Sequence, residues 1–191
     1  FILGLKGLAH PKTALRGNTF SMLGMGLAVV ATLMNPEVQN YNWIIAGLVV
    51  GGLIGTIVAL KIEMTSMPEL VAILHSFVGL AAVLIAYGTL IQKIEQGLLN
   101  PVLMGELAAG SFIGAITFTG SVIAFGKLKG TLGSNPLVFK GQHLLNLLMG
   151  LTMFGFGIHF MMTESMLSFH LMTAIALSLI HISEPTRRYL I

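Results

Sequence analysis

Cysteine and aspartate are absent from the 191 residues, and charged side chains of both signs make up only 9% of the chain. Without cysteine there is neither a disulfide nor a thiolate metal site. The seven acidic residues are all Glu, and no run of Lys and Arg marks a nucleic-acid partner. No HExxH, paired metal-ligand spacing or nucleophile elbow occurs, so neither a metal site nor catalysis contained in this chain is expected. Apolar residues are what is abundant. They reach 55%, with a mean hydropathy of +0.90, whereas a soluble domain has about a quarter of its residues charged. The composition describes an integral membrane chain.

A spanning helix needs roughly 20 apolar residues. Apolar runs bounded by Pro, Asn or charge cover Thr19 to Met34, Trp43 to Leu60, Leu70 to Ile91, Val102 to Phe125, Leu144 to Met162, and Met166 to about Ile182. Phe1 to Ala9 reads as the remnant of an earlier helix, without the charged start and cleavage site of a signal peptide. Backbone groups in lipid must be satisfied within the segment, so these are helices. Strands of a barrel would alternate with polar residues. The expected fold class is all-α, a polytopic transmembrane helix bundle of six spans plus the N-terminal remnant.

Placing successive loops on alternate sides puts Lys12, Arg16, Lys61, Lys127, Lys129 and Lys140 on one side and Lys93 alone on the other. Basic loops stay in the cytoplasm. The span from Leu70 therefore leaves the cytoplasm and the span from Val102 returns to it.

Within "MPELVAILHSFVGLAAVLIAYG", Met67 to Gly88, His75 interrupts the apolar run. An ionisable residue inside a span is a functional hypothesis, with a hydrogen-bonded neutral imidazole as the plain alternative. Steps of three and four from it give Ala72, Gly79, Ala82 and Ala86; on the returning helix the same walk gives Glu106, Gly110, Gly114, Thr117, Ser121 and Ala124. Small residues let helices approach closely in membranes, so both stripes should face protein, with Val83 on the lipid side. His75 lies roughly 10 Å inside its helix from Pro68, and Ser121 roughly 9 Å from Lys127. The two can meet, with Thr117 one turn deeper and Glu106 at the far end, either as part of the file or as an interfacial carboxylate. Gly47, Gly51 and Gly55 read as another packing stripe. His143, His159 and His170 fall near helix ends and read as interface residues, and His10, Lys12 and Arg16 as a topology signal.

"EMTSMPELVAILHSFVGLAAVL", Glu63 to Leu84, and "FIGAITFTGSVIAFGKLKG", Phe112 to Gly130, resemble the membrane region of the beta subunit of proton-translocating NAD(P) transhydrogenase. "RGNTFSMLGMGLAVVATL", Arg16 to Leu33, and "LMTAIAL", Leu171 to Leu177, extend the resemblance over most of the chain. Such an enzyme transfers hydride between NAD(H) and NADP(H) in soluble domains and couples this to proton passage through a membrane domain. By this resemblance His75 matches the intramembrane histidine of proton translocation and Ser121 the serine of "FTGSV". Thr117 and Glu106 complete the implied proton pathway; Glu69 and Ser76 also fall on matching positions.

The resemblance further implies a bacterial inner-membrane protein that works with alpha-subunit helices, with further beta helices and an NADP(H)-binding domain, as a dimer of the complete enzyme. No nucleotide is expected on this chain alone. Residues 1–177 are the expected membrane domain. From 178 to 191, "SLIHISEPTRRYLI" departs from the family pattern and reads as a cloning or assembly artefact, or as a natural truncated paralogue. A stand-alone proton-coupled carrier, which an inverted repeat would support, and a structural membrane scaffold are the alternative functions.

Overall fold

The computed structural model describes residues 2–36, 38, 40–132 and 141–183. Seven α-helices are found among them: α1 Ile2–Leu8, α2 Ala14–Leu33, α3 Tyr41–Lys61, α4 Met67–Glu95, α5 Pro101–Leu128, α6 Gln142–Thr163 and α7 Met166–Ser183. No strand occurs among the described residues, as the apolar runs require. Four stretches are long and apolar enough to cross a membrane: Tyr41–Lys61, Met64–Glu95, Pro101–Leu128 and Gln142–Thr163. The six expected spans thus divide. α2 carries Arg16 and Asn18 in its first five residues, and α7, a helix over Met166–Ser183, is apolar over Met166–Ser178, the part whose side chains are described. Lys140 and residues 184–191 lie outside the described residues.

The chain forms two compact units, Phe1–Lys61 and Ile62–Ile191. In the first, α1 and α2 make a tight hairpin. A Cβ on Gly7 would lie 2.6 Å from the Gly17 Cα, and one on Gly4 would strike Ser21 Oγ. Thr13 closes the turn, its hydroxyl donating to the carbonyls of Gly7 at 2.6 Å and His10 at 3.2 Å. α3 has no buried residue. Its Gly47, Gly51 and Gly55 have open space within 4 Å, so the packing expected of that stripe is not made by the described residues.

In the second unit, α4 and α5 pack along each other, joined by the turn around residues 96–100. Gly97 takes φ +64 there, the left-handed conformation that glycine adopts without a Cβ penalty. The Leu98 N–H bonds back to the Lys93 carbonyl at 3.0 Å, so the freed carbonyls of the helix end are satisfied. Asn100 then caps α5, its side-chain oxygen accepting from the Leu103 N–H at 2.8 Å, with Pro101 behind it where no N–H is needed. α7 packs on α5 and α6. The core between these helices is built from Leu90, Met104, Leu107, Ala115, Phe160, Phe169 and Met172.

Candidate functional site

α4 and α5 come close together at Gly79. A Cβ built there would sit 2.5 Å from the Phe118 nitrogen and 2.7 Å from the Gly114 carbonyl oxygen. One on Gly114 would sit 2.8 Å from the Gly79 carbonyl and 3.1 Å from Val83 Cγ2. The small-residue seam expected from the sequence is therefore made at Gly79, Ala82 and Gly114, where the glycines are required by contact with a neighbouring helix rather than by a turn, but not at Gly110, which has nothing within 4 Å. Val83 is a correction. Expected toward lipid, it is only 9% exposed, because the absence of a side chain on Gly114 leaves the space that its methyl fills.

This contact sets the register of the antiparallel pair. From Gly79, one turn toward the start of α4 is His75; from Phe118, one turn toward the end of α5 is Val122, with Ser121 beside it. His75 and Ser121 therefore share a level along the helix axes. The seam does not bury the imidazole. His75 is exposed, Ser121 and Thr117 are half-buried, and Glu106 is exposed near the other end of α5. No side-chain hydrogen bond joins any of these four to another described residue. Ser76, beside His75, is the buried member, and its hydroxyl donates to the Ile73 carbonyl at 2.8 Å. None of the four expected pathway residues is buried between α4 and α5: His75 and Glu106 are exposed, and Thr117 and Ser121 are half-buried.

The buried polar contacts lie elsewhere. Ser111 on α5 and Thr173 on α7, 0% and 3% exposed, share a hydrogen bond of 2.8 Å. Thr173 also lies 2.9 Å from the Phe169 carbonyl, to which it donates. Toward the α6–α7 turn, His159 Nδ1 lies 2.7 Å from Ser168 Oγ and 3.2 Å from Thr163 Oγ1. Thr163 donates its proton to the His159 carbonyl at 2.7 Å, so its oxygen faces the ring as an acceptor. His170 Nδ1 lies 2.9 Å from the Tyr87 hydroxyl, with the two rings stacked at 5.3 Å. Tyr87 in turn meets Phe169 edge-on at 4.9 Å.

His159 and His170, read from the sequence as interface residues, are thus helix-to-helix ties. The available signal was a polar residue within an apolar run, which applies equally to Ser111 and Thr173. Its partner on another helix could not be read from one helix alone. His143 is exposed in the first turn of α6. No group of three or more His, Asp or Glu suited to a metal is found among the described residues.

Large apolar side chains cover the remaining outer surface of α3 to α6, among them Ile54, Phe77, Ile85, Ile113 and Leu151, all exposed. Such faces need a lipid or protein environment. The family model for the NAD(P) transhydrogenase beta subunit matches residues 1–182. Among curated proteins, the NAD(P) transhydrogenase subunit beta of Rhodospirillum rubrum is 46% identical over 148 residues, covering 75% of this chain and 32% of that protein. The same-named protein of a particular strain of that species matches with the same identity and coverage. The chain spans about a third of the length of the curated relatives it matches.

Proposed function

The chain belongs to the NAD(P) transhydrogenase beta subunit family, and from that premise we propose that it is a proton-carrying membrane segment of such an enzyme. The complete enzyme would transfer hydride between NAD(H) and NADP(H) in domains outside this sequence. Residues 1–177 would supply helices through which a proton crosses, in a bacterial inner membrane with the basic loops in the cytoplasm. The observation that supports the reading is the Gly79–Gly114 contact, from which the helical rise puts His75 and Ser121 at about one level along α4 and α5.

The chemistry follows from the residue types. An imidazole can take up a proton at one ring nitrogen and release it from the other, which suits a relay step. The Ser121 and Thr117 hydroxyls can both donate and accept, so they can orient water beside the ring in either protonation state. Glu106, near the opposite end of α5, supplies an acceptor at the outer side. Because His75 and Glu106 are exposed in this chain and a charge bare to hydrocarbon is costly, further helices are needed to cover these two positions. Alpha-subunit helices and further beta helices are the proposed cover, within a dimer of the complete enzyme.

The test is proton uptake by vesicles containing the complete enzyme with His75→Asn, which keeps hydrogen bonding but cannot titrate near neutral pH. Uptake should collapse while nucleotide binding is retained. Normal uptake would overturn the assignment.

A further inference from the structure

The hydroxyls around His159 fix which ring nitrogen holds the proton. Thr163 donates to the His159 carbonyl at 2.7 Å, so the 3.2 Å contact between its oxygen and Nδ1 is a hydrogen bond only if Nδ1 carries the hydrogen. Ser168, 4% exposed, lies 2.7 Å from the same nitrogen and accepts from it as well. The neutral ring therefore keeps its proton on Nδ1 and presents Nε2 as the base. His159 is exposed, and no described residue hydrogen-bonds Nε2. Protonation at Nε2 leaves the Nδ1–H bonds in place, so the ring can change charge without untying α6 from α7.

The register gives its depth. Ser111 bonds Thr173 between α5 and α7, which run the same way. Ser168, five residues before Thr173, is thus level with Glu106, five before Ser111, and holds His159 at that level to within about one turn. A Cβ on Gly105 lying 3.5 Å from Met161 Cε agrees. Glu106 and Ser121 are roughly 22 Å apart along α5, so His159 stands at the end of the route away from His75. The titratable groups at this end on the elements packed against α6 are Glu106 on α5 and His170 on α7, with Glu164 in the turn. Among the described residues none of the three is hydrogen-bonded to the His159 ring.

We propose that His159 is a second proton-exchanging imidazole of this membrane segment, taking up and releasing its proton at Nε2 at the outer end. Hydronium gives a proton to Nε2 and leaves as water; the imidazolium passes that proton to the next water of the route, and the Nδ1 proton stays in place. The opposite flow reverses these steps. The proposal rests on the proton-carrying reading above and extends it to the level of Glu106.

The test follows the rate of proton uptake coupled to hydride transfer, at low buffer concentration, in vesicles holding the complete enzyme. His159→Asn sets an amide N–H where Nδ1 stood, so the bonds to Ser168 and Thr163 are kept and the exchangeable nitrogen is lost. Uptake should slow about tenfold, less than for a group acting on a reacting bond because water exchanges in its place. MES buffer added on the outer side should restore most of the rate, and MES on the cytoplasmic side should not. A rate equal to that of the unaltered enzyme would refute the proposal. Slowing that outer MES leaves unrelieved, in this variant and in His159→Gln, would reduce His159 to a structural tie. His75→Asn on the same preparation separates the two readings: normal pumping by it would sink the proton-carrying reading itself, whereas its failure beside a normal His159→Asn would sink this proposal alone.

Discussion

Replacing Gly79 by alanine adds a single methyl group where the structure leaves no room for one. The new Cβ would lie 2.5 Å from the Phe118 nitrogen, against 3.4 Å for ordinary contact, so α4 and α5 must part by about 0.9 Å (3.4 − 2.5). Both nearest atoms are backbone, so no rotamer change relieves the clash. Overpacking of this kind costs about 1–3 kcal/mol, roughly a 5- to 150-fold shift in a folding equilibrium. In a bilayer the separated helices remain helical, so the better helix propensity of alanine offsets little of this. Gly88→Ala, on the same helix with nothing within 4 Å, is the control. Denaturation of the full-length protein in mixed micelles should show Gly79→Ala destabilised by that amount and Gly88→Ala near wild type. Equal behaviour of the two would refute the close approach and the register of His75 and Ser121 that rests on it.

Other expectations follow from single contacts and from loop charge. Ser111→Ala removes the buried partner of Thr173, whose own proton keeps the Phe169 carbonyl; the same micelle assay should register a loss of about 0.6–1.7 kcal/mol. Asn100→Ala should cost about 1 kcal/mol through the lost cap of α5, measurable as earlier unfolding and restored by Asn100→Asp. Because the chain contains no cysteine, single cysteines report topology without background: positions 12 and 129 should react only from the cytoplasm, and position 40 only from outside. Reversed labelling would overturn the orientation.

The helices were legible in the sequence because lipid imposes a length and forbids unsatisfied backbone. The run expected from Leu70 to Ile91 appears inside α4, extended at both ends by residues that suit helix termini: Pro68 in the first turn and Lys93 in the last. The seam was legible too, since Gly79 and Gly114 lie on small-residue stripes. The orientation of individual side chains was less so. Val83 is apolar whether it meets lipid or Gly114, and hydropathy cannot separate the two. Likewise His75 shares a stripe with Gly79 yet stays exposed while its neighbour Ser76 is buried, because a stripe fixes the angle around the helix only to within a residue. The ties from His170 to Tyr87 and from Ser111 to Thr173 span 83 and 62 residues, and periodicity along one helix carries no information about the other.

The proton role of His75 is tested most directly by the number of protons taken up per hydride transferred in vesicles holding the complete enzyme with His75→Asn. Uptake and nucleotide exchange are measured on the same preparation. The account predicts that the ratio falls toward zero while hydride exchange between bound nucleotides continues, because the asparagine amide hydrogen-bonds but carries no exchangeable charge near neutral pH. A ratio equal to that of the unaltered enzyme would contradict it and leave His75 as a packing residue on the flank of α4.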